Sequence, residues 1–136
     1  MTSGNTWQRH DVLGRVLVIL RGQRNPRDPD LRDGYPFLSS YQLAIILDDS
    51  HPEIRQELGL PVAGSAPGQQ NRGSLAQYLA GQLSSLLANR HRDERINHIE
   101  RAFLSGHHCK MSFKNNEEVF ESTSYPLSMF RYWPQR

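Results

Sequence analysis

The sequence predicts an α+β domain that is mainly helical, with about five helices followed by a C-terminal antiparallel β-hairpin or small sheet. Three observations predict it. Apolar residues recur at helical spacing up to Phe103. Ser and Asp capping signals stand at the edges of those runs. After Gly106 the period changes to alternation. Residues 1–136 read as one domain, at the usual domain size.

The elements follow in order. Residues 1–9 are polar apart from Trp7 and are expected to fray. From Asp11 to Arg21, apolar residues at 12, 13, 16, 17 and 20 give a helical face, with Asp11 to cap its start and Gly22 its end. The run 16–20 taken alone also fits a buried strand, and the short apolar run 41–47 carries the same ambiguity. Residues 23–37 hold three prolines and read as a loop. Ser39-x-x-Gln42 then forms a capping box, with Leu38 and Leu43 as its staple, so a buried helix follows from Tyr41. Ser50-x-x-Glu53 repeats the signature before a helix over 52–58 that Gly59 should stop. Residues 62–73 read as a second loop.

Ser74-x-x-Gln77 opens the helix 75–89, which contains no charged residue. Leu75, Ala76, Leu79, Ala80, Leu83, Leu86 and Leu87 cover a wide arc, and Gln77, Gly81, Ser84, Ser85 and Ala88 face the other way. A solvated face normally carries charge. The expectation is that this face is covered by the same chain or by a second copy, which makes helix 75–89 a candidate homo-oligomer surface. Asp93 is placed to cap a further helix over 94–104, with Ile96, Ile99 and Phe103 on its core side. Beyond Gly106, Met111 and Phe113 alternate with polar residues. A two-residue turn at Asn115-Asn116 would set Lys114 opposite Glu117 and Met111 opposite Phe120. Leu127 to Trp133 reads as a third strand or as a tail that packs its aromatics.

Composition narrows the function classes. Leu, Ile, Val and Phe make up about 24% of the chain, enough for a core. Mean hydropathy is −0.65. The net charge of +2 is unevenly placed: residues 1–68 carry −1 and residues 69–136 carry +3. A basic C-terminal half permits contact with nucleic acid without requiring it. The lone Cys109 allows no internal disulfide, and the run Val16–Leu20 is too short to span a bilayer. A cytoplasmic protein with no membrane partner is expected.

Helix 75–89, helix 94–104 and the hairpin stand in the order of a winged helix-turn-helix, an analogy of architecture. On that reading 94–104 is the recognition helix, and its outer face presents Asn97, His98 and Arg101, with Arg95 on the flank. Asn and Arg read adenine and guanine edges. Arg92, Lys110 and Lys114 would meet phosphates. Glu94 and Glu100 oppose such contacts.

Other constellations are weaker. His107-His108-Cys109, with His98 or His91, invites a metal, but consecutive residues of an extended segment point to alternate sides, so no metal or cofactor is expected. His108 is poorly placed as a base for Cys109, so the thiol is read as inert. Asp28, Asp30 and Asp33 form an acidic cluster whose Pro29-Asp30 pair resembles the start of a nuclease site without its catalytic lysine, and the cluster is read as a solvated loop paired with Arg24, Arg27 and Arg32. Arg72 beside Ser74 suggests an anion at a helix N-terminus. The sequence thus favours a nucleic-acid-binding or regulatory module that leans away from catalysis. The alternatives are a dimeric interaction or small-ligand-binding domain, and a small hydrolase or nuclease whose site assembles only in the fold.

Overall fold

A computed structural model describes residues 5–23, 34–63, 73–116, 118–121 and 127–134. The helices are α1 (Thr6–Arg9), α2 (Val12–Gly22), α3 (Ser40–Ser50), α4 (Pro52–Leu58) and α5 (Leu75–Ala88). Short 3-10 turns cover Arg90–Arg92 and Glu94–His98. The strands are β1 (Leu38–Ser39), β2 (Ile99–Leu104), β3 (Ser112–Asn115), β4 (Glu118–Glu121) and β5 (Leu127–Tyr132). This is the expected α+β architecture, and both ambiguous runs, 16–20 and 41–47, are helical.

Local chemistry explains the helix ends. At α3, Ser39 Oγ accepts from the Gln42 amide at 3.1 Å and Gln42 Oε1 accepts from the Ser39 amide at 2.8 Å, the full capping box. At α5, Ser74 Oγ accepts from the Gln77 amide at 3.2 Å. Gly59 ends α4 at φ +66°, a conformation that costs glycine nothing. Two expected caps differ. Ser50 is the last residue of α3, and His51 stands at the start of α4 without a side-chain capping bond, where Pro52 already occupies the first turn. Asp11 precedes α2 at φ +44°, and its carboxylate reaches across to Arg95 at 2.9 Å instead of capping. The N-terminus also departs from fraying over its described part: Asn5 caps α1, and Trp7 is buried beside Tyr78.

The core lies mainly between helices. Val12, Leu13, Val16 and Leu20 of α2 meet Leu43, Ala44 and Leu47 of α3, with Ile54 of α4 and Leu75, Leu79 and Leu83 of α5. The sheet has the order β1-β5-β2, antiparallel throughout. Phe130, at the centre of β5, is fully buried and closes the core from the sheet side, opposite Leu38 and Arg101.

The expected helix over 94–104 does not form. Asp93 accepts from the Arg95 amide, but the turn it starts is a 3-10 turn that ends at His98. From Ile99 the chain is strand, paired with β5 from Ile99↔Tyr132 to Leu104↔Leu127. The segment fits both periods, and the ladder with a distant strand decides between them. One consequence is that Phe103, assigned to the core by helical spacing, is 56% exposed.

The hairpin β3–β4 forms with its turn one residue later than expected. Asn116 takes φ +57°, and Asn115 faces Glu118. Phe113 therefore faces Phe120, and Lys114 faces Val119. Phe113 is buried because its ring stacks on Tyr41 of α3 at 4.9 Å. The hairpin forms a separate two-stranded sheet, while β5 joins β1 and β2.

Candidate nucleic-acid interface

The residues singled out for nucleic acid divide into three groups, with His98 apart from all of them, once 94–104 is a turn and a strand. Arg92 and Arg95 border a polar cavity of about 500 Å³ with Asn5, Gln8, Gln82 and Asp93. Arg95 is committed there: it holds Asp93 at 2.7 Å and Asp11 at 2.9 Å. The Arg95 guanidinium in turn keeps the Asp93 carboxyl below its usual range. Hydrogen bonds from Asp93, and secondarily Asp11, raise the affinity of Arg95 for its proton. This cation fastens the 90–98 turns to the start of α2 and is spoken for.

Asn97 and Arg101, expected one helical turn apart, come together by another route. They border a groove of about 410 Å³ with Leu87, Arg90, Ile99, Glu100 and Trp133. Arg90 donates to Asn97 Oδ1 at 3.0 Å. Glu100, the one carboxylate among the described residues that border the groove, is paired with Arg131 at 2.5 Å. Arg131 also lies over the rings of Phe37 and Trp133, at 4.7 and 4.9 Å. Arg101 lies over Phe103 at 5.0 Å. Among the described residues neither Arg90 nor Arg101 forms an ion pair. His98 is turned elsewhere: its ring stacks on Tyr132, and Nδ1 lies 3.2 Å from the Trp133 carbonyl oxygen.

The lysines stand apart on the hairpin side. Lys110 pairs with Glu121 at 3.0 Å, and Lys114 is exposed on β3. Arg90 and Trp133 were not singled out in sequence. Trp133 lies thirty-odd residues from Arg101 in the chain, and the only sequence signal for it is the alternation of aromatics with Arg131 in the final strand.

The remaining constellations place as follows. The N-terminus of α5 offers no anion site, because its amides are taken: Leu75 donates to the Pro61 carbonyl at 2.8 Å, Ala76 to Val62 at 3.0 Å, and Gln77 to Ser74. Arg72 and the cluster Asp28, Asp30 and Asp33 lie outside the described residues. Among the described residues no three His, Cys, Asp or Glu side chains converge as a metal site, and Cys109 is half-buried. None of the described helices is long and apolar enough to cross a membrane. On α5, Leu75, Ala76, Leu79 and Leu83 are buried, while Gln77, Gly81, Ser85 and Ala88 are exposed. A side chain added at Gly81 would meet no described atom within 4 Å.

Comparison with protein-family models, with curated proteins and with solved structures found no match to the chain.

Proposed function

We propose that the chain is a nucleic-acid-binding module on a winged-helix-like frame, acting in the cytoplasm. One observation carries the reading: the chain runs α2–β1–α3, then α5–β2–β5, and the strands lie in the order β1-β5-β2. That is the threading of a winged helix-turn-helix, with α4 inserted in the chain between α3 and α5 and the hairpin β3–β4 inserted between β2 and β5. In this frame α5 takes the recognition role first given to 94–104. Its outer stripe of Gln77, Gly81, Ser85 and Ala88 carries no carboxylate to repel a polyanion. Gln77 is of the type that pairs with adenine. Arg90 and Arg92 follow the helix directly and serve phosphates, as does Lys114 on the wing. No catalytic residue is assigned.

The test is binding to random duplex and single-stranded pools from low to moderate salt. Replacing both Arg90 and Arg92 with Ala should weaken all sequences alike and reduce the salt slope by about two charges. Gln77→Ala should cost about 1–3 kcal/mol on preferred sequences and relax one position. Absence of any binding at low salt overturns the reading.

A second reading rests on Gly81. The open space beside it, on an uncharged stripe, also suits a second copy packed helix to helix. Sedimentation separates the two: Gly81→Arg should dissolve such a dimer, whereas replacing Arg90 and Arg92 with Ala should weaken nucleic-acid binding and leave the dimer intact.

A further inference from the structure

The strand β2 is an edge of its sheet: β5 pairs with one side, and among the described residues no strand pairs with the other. An open edge is a template for another strand. Which backbone groups face outward follows from one bond. The Trp133 amide donates to the His98 carbonyl at 2.6 Å, so His98 and Trp133 are a hydrogen-bonded pair. Such pairs recur at every second residue of an antiparallel ladder. Glu100, Ala102 and Leu104 therefore turn their amides and carbonyls toward β5, and Arg101 and Phe103 turn theirs outward.

We infer that two copies of the chain pair through this edge, β2 against β2, antiparallel about a two-fold axis at Ala102. Arg101 then faces Phe103 of the second copy, and the axis repeats the contact. Arg101 and Phe103, two of the three outward-facing residues of each strand, exchange backbone bonds in this register; the third, Ile99, already donates its amide to the Ile96 carbonyl. Side chains decide against its neighbours. An axis at Arg101 sets that guanidinium against its own copy, and an axis at Glu100 does the same with a carboxylate; like charges directly opposite destabilise a strand pair. An axis at Phe103 leaves only Ala102, Phe103 and Leu104 paired, whereas the axis at Ala102 pairs Glu100 through Leu104.

The exposed side chains fit the same register. Phe103 is the largest exposed aromatic of the sheet, and Arg101 already lies on its ring within one chain. Across the axis the same cation meets the second copy's Phe103, a favourable pair once water is excluded. Ile99 and Arg101 of the same strand also border the groove, together with Leu87. The occupant is a second copy because the complementarity is with the strand itself: cation to aromatic, outward amide to outward carbonyl, each within β2.

Ala102→Cys in a Cys109→Ser background tests the axis. Residues facing each other in a non-hydrogen-bonded pair have Cα atoms about 4.5 Å apart, inside the disulfide range of about 4.4–6.8 Å. The variant should oxidise to a covalent dimer, and cysteine at position 101 or 103 should not. In sedimentation the unmodified chain should be a dimer. Phe103→Arg should be a folded monomer whose thermal transition, unlike that of the unmodified chain, does not depend on protein concentration, and Arg101→Glu combined with Phe103→Arg should restore the dimer. A monomeric wild-type chain overturns the inference. So does a dimer that survives Phe103→Arg, a dimer that Gly81→Arg dissolves while Phe103→Arg does not, or failure of Ala102→Cys to cross-link.

Discussion

The helical layer and the three-stranded sheet are built on different terms. In the helices, Val12, Val16, Leu20, Leu43, Leu47, Leu79 and Leu83 are all sealed from solvent, and they come from three separate helices. The sheet contributes little more than Phe130, Ile99, Leu38 and Leu127 to the interior, and its edge strand leaves Arg101 and Phe103 outside. Stability therefore resides in the helices and the central strand, whereas the edge strand is free to serve a surface. Local opening should begin in the layer with the thinner burial.

The sharpest way to break this contrast is at its one point of crossing. Phe130→Ala empties the site where the central strand enters the helical core and should destabilise the chain by about 3–5 kcal/mol. Denaturant unfolding measures it, and a loss no larger than that of a surface change would mean that the sheet is an appendage. A smaller effect tests how the helices are held at their ends. Ser39→Ala should cost about 1 kcal/mol, because an amide loses its acceptor and Gln42 loses its reason to fold back. Ser50→Ala should cost nothing comparable, although the two serines stand in the same sequence pattern. Equal losses in the two melting curves would refute the assignment.

The smallest expected effect is in acid. Glu57 of α4 receives hydrogen bonds from Thr6 at 2.5 Å and Arg9 at 2.6 Å and lies 3.2 Å from His10. The bonds from Thr6 and His10, with Arg9 adding to them, lower its pKa from 4.5 to about 2. The unfolded chain takes up this proton first as pH falls. The stabilisation is thus present above the unfolded value of 4.5 and is lost on descent to about 2. Glu57→Gln should flatten the dependence of the melting temperature on pH within that window. An unchanged slope would show that α1 is not fastened to α4 through this carboxylate.

What was legible in the sequence was mostly local. The Ser39 box, the Ser74 cap and the Gly59 stop are chemistry among neighbours, and the sequence contains all the partners. Ser50 shows the limit even there: Pro52 supplies the start of α4 without it. The strand β2 was not legible because its partner lies beyond the intervening hairpin. Ile96, Ile99 and Phe103 satisfy a helical period, and Ile99, Arg101 and Phe103 satisfy a strand period equally well. Only the ladder with β5 chooses between them. The candidate groove was half legible: Asn97 and Arg101 were placed together for the wrong reason, and Trp133 reaches them only because Tyr132 pairs with Ile99.

The placement of the two tryptophans has an optical consequence. Trp7 lies in the helical layer against the edge of Tyr78, and Trp133 lies at the end of the sheet beneath the Arg131 guanidinium. With only two indoles in the chain, replacing either with Phe leaves a single emitter dedicated to one layer. The fluorescence of the Trp133→Phe chain then follows the helices alone, and that of the Trp7→Phe chain follows the end of the sheet where Arg90, Asn97 and Arg101 converge. The same residue that borders the groove is thus a built-in optical gauge of what enters it.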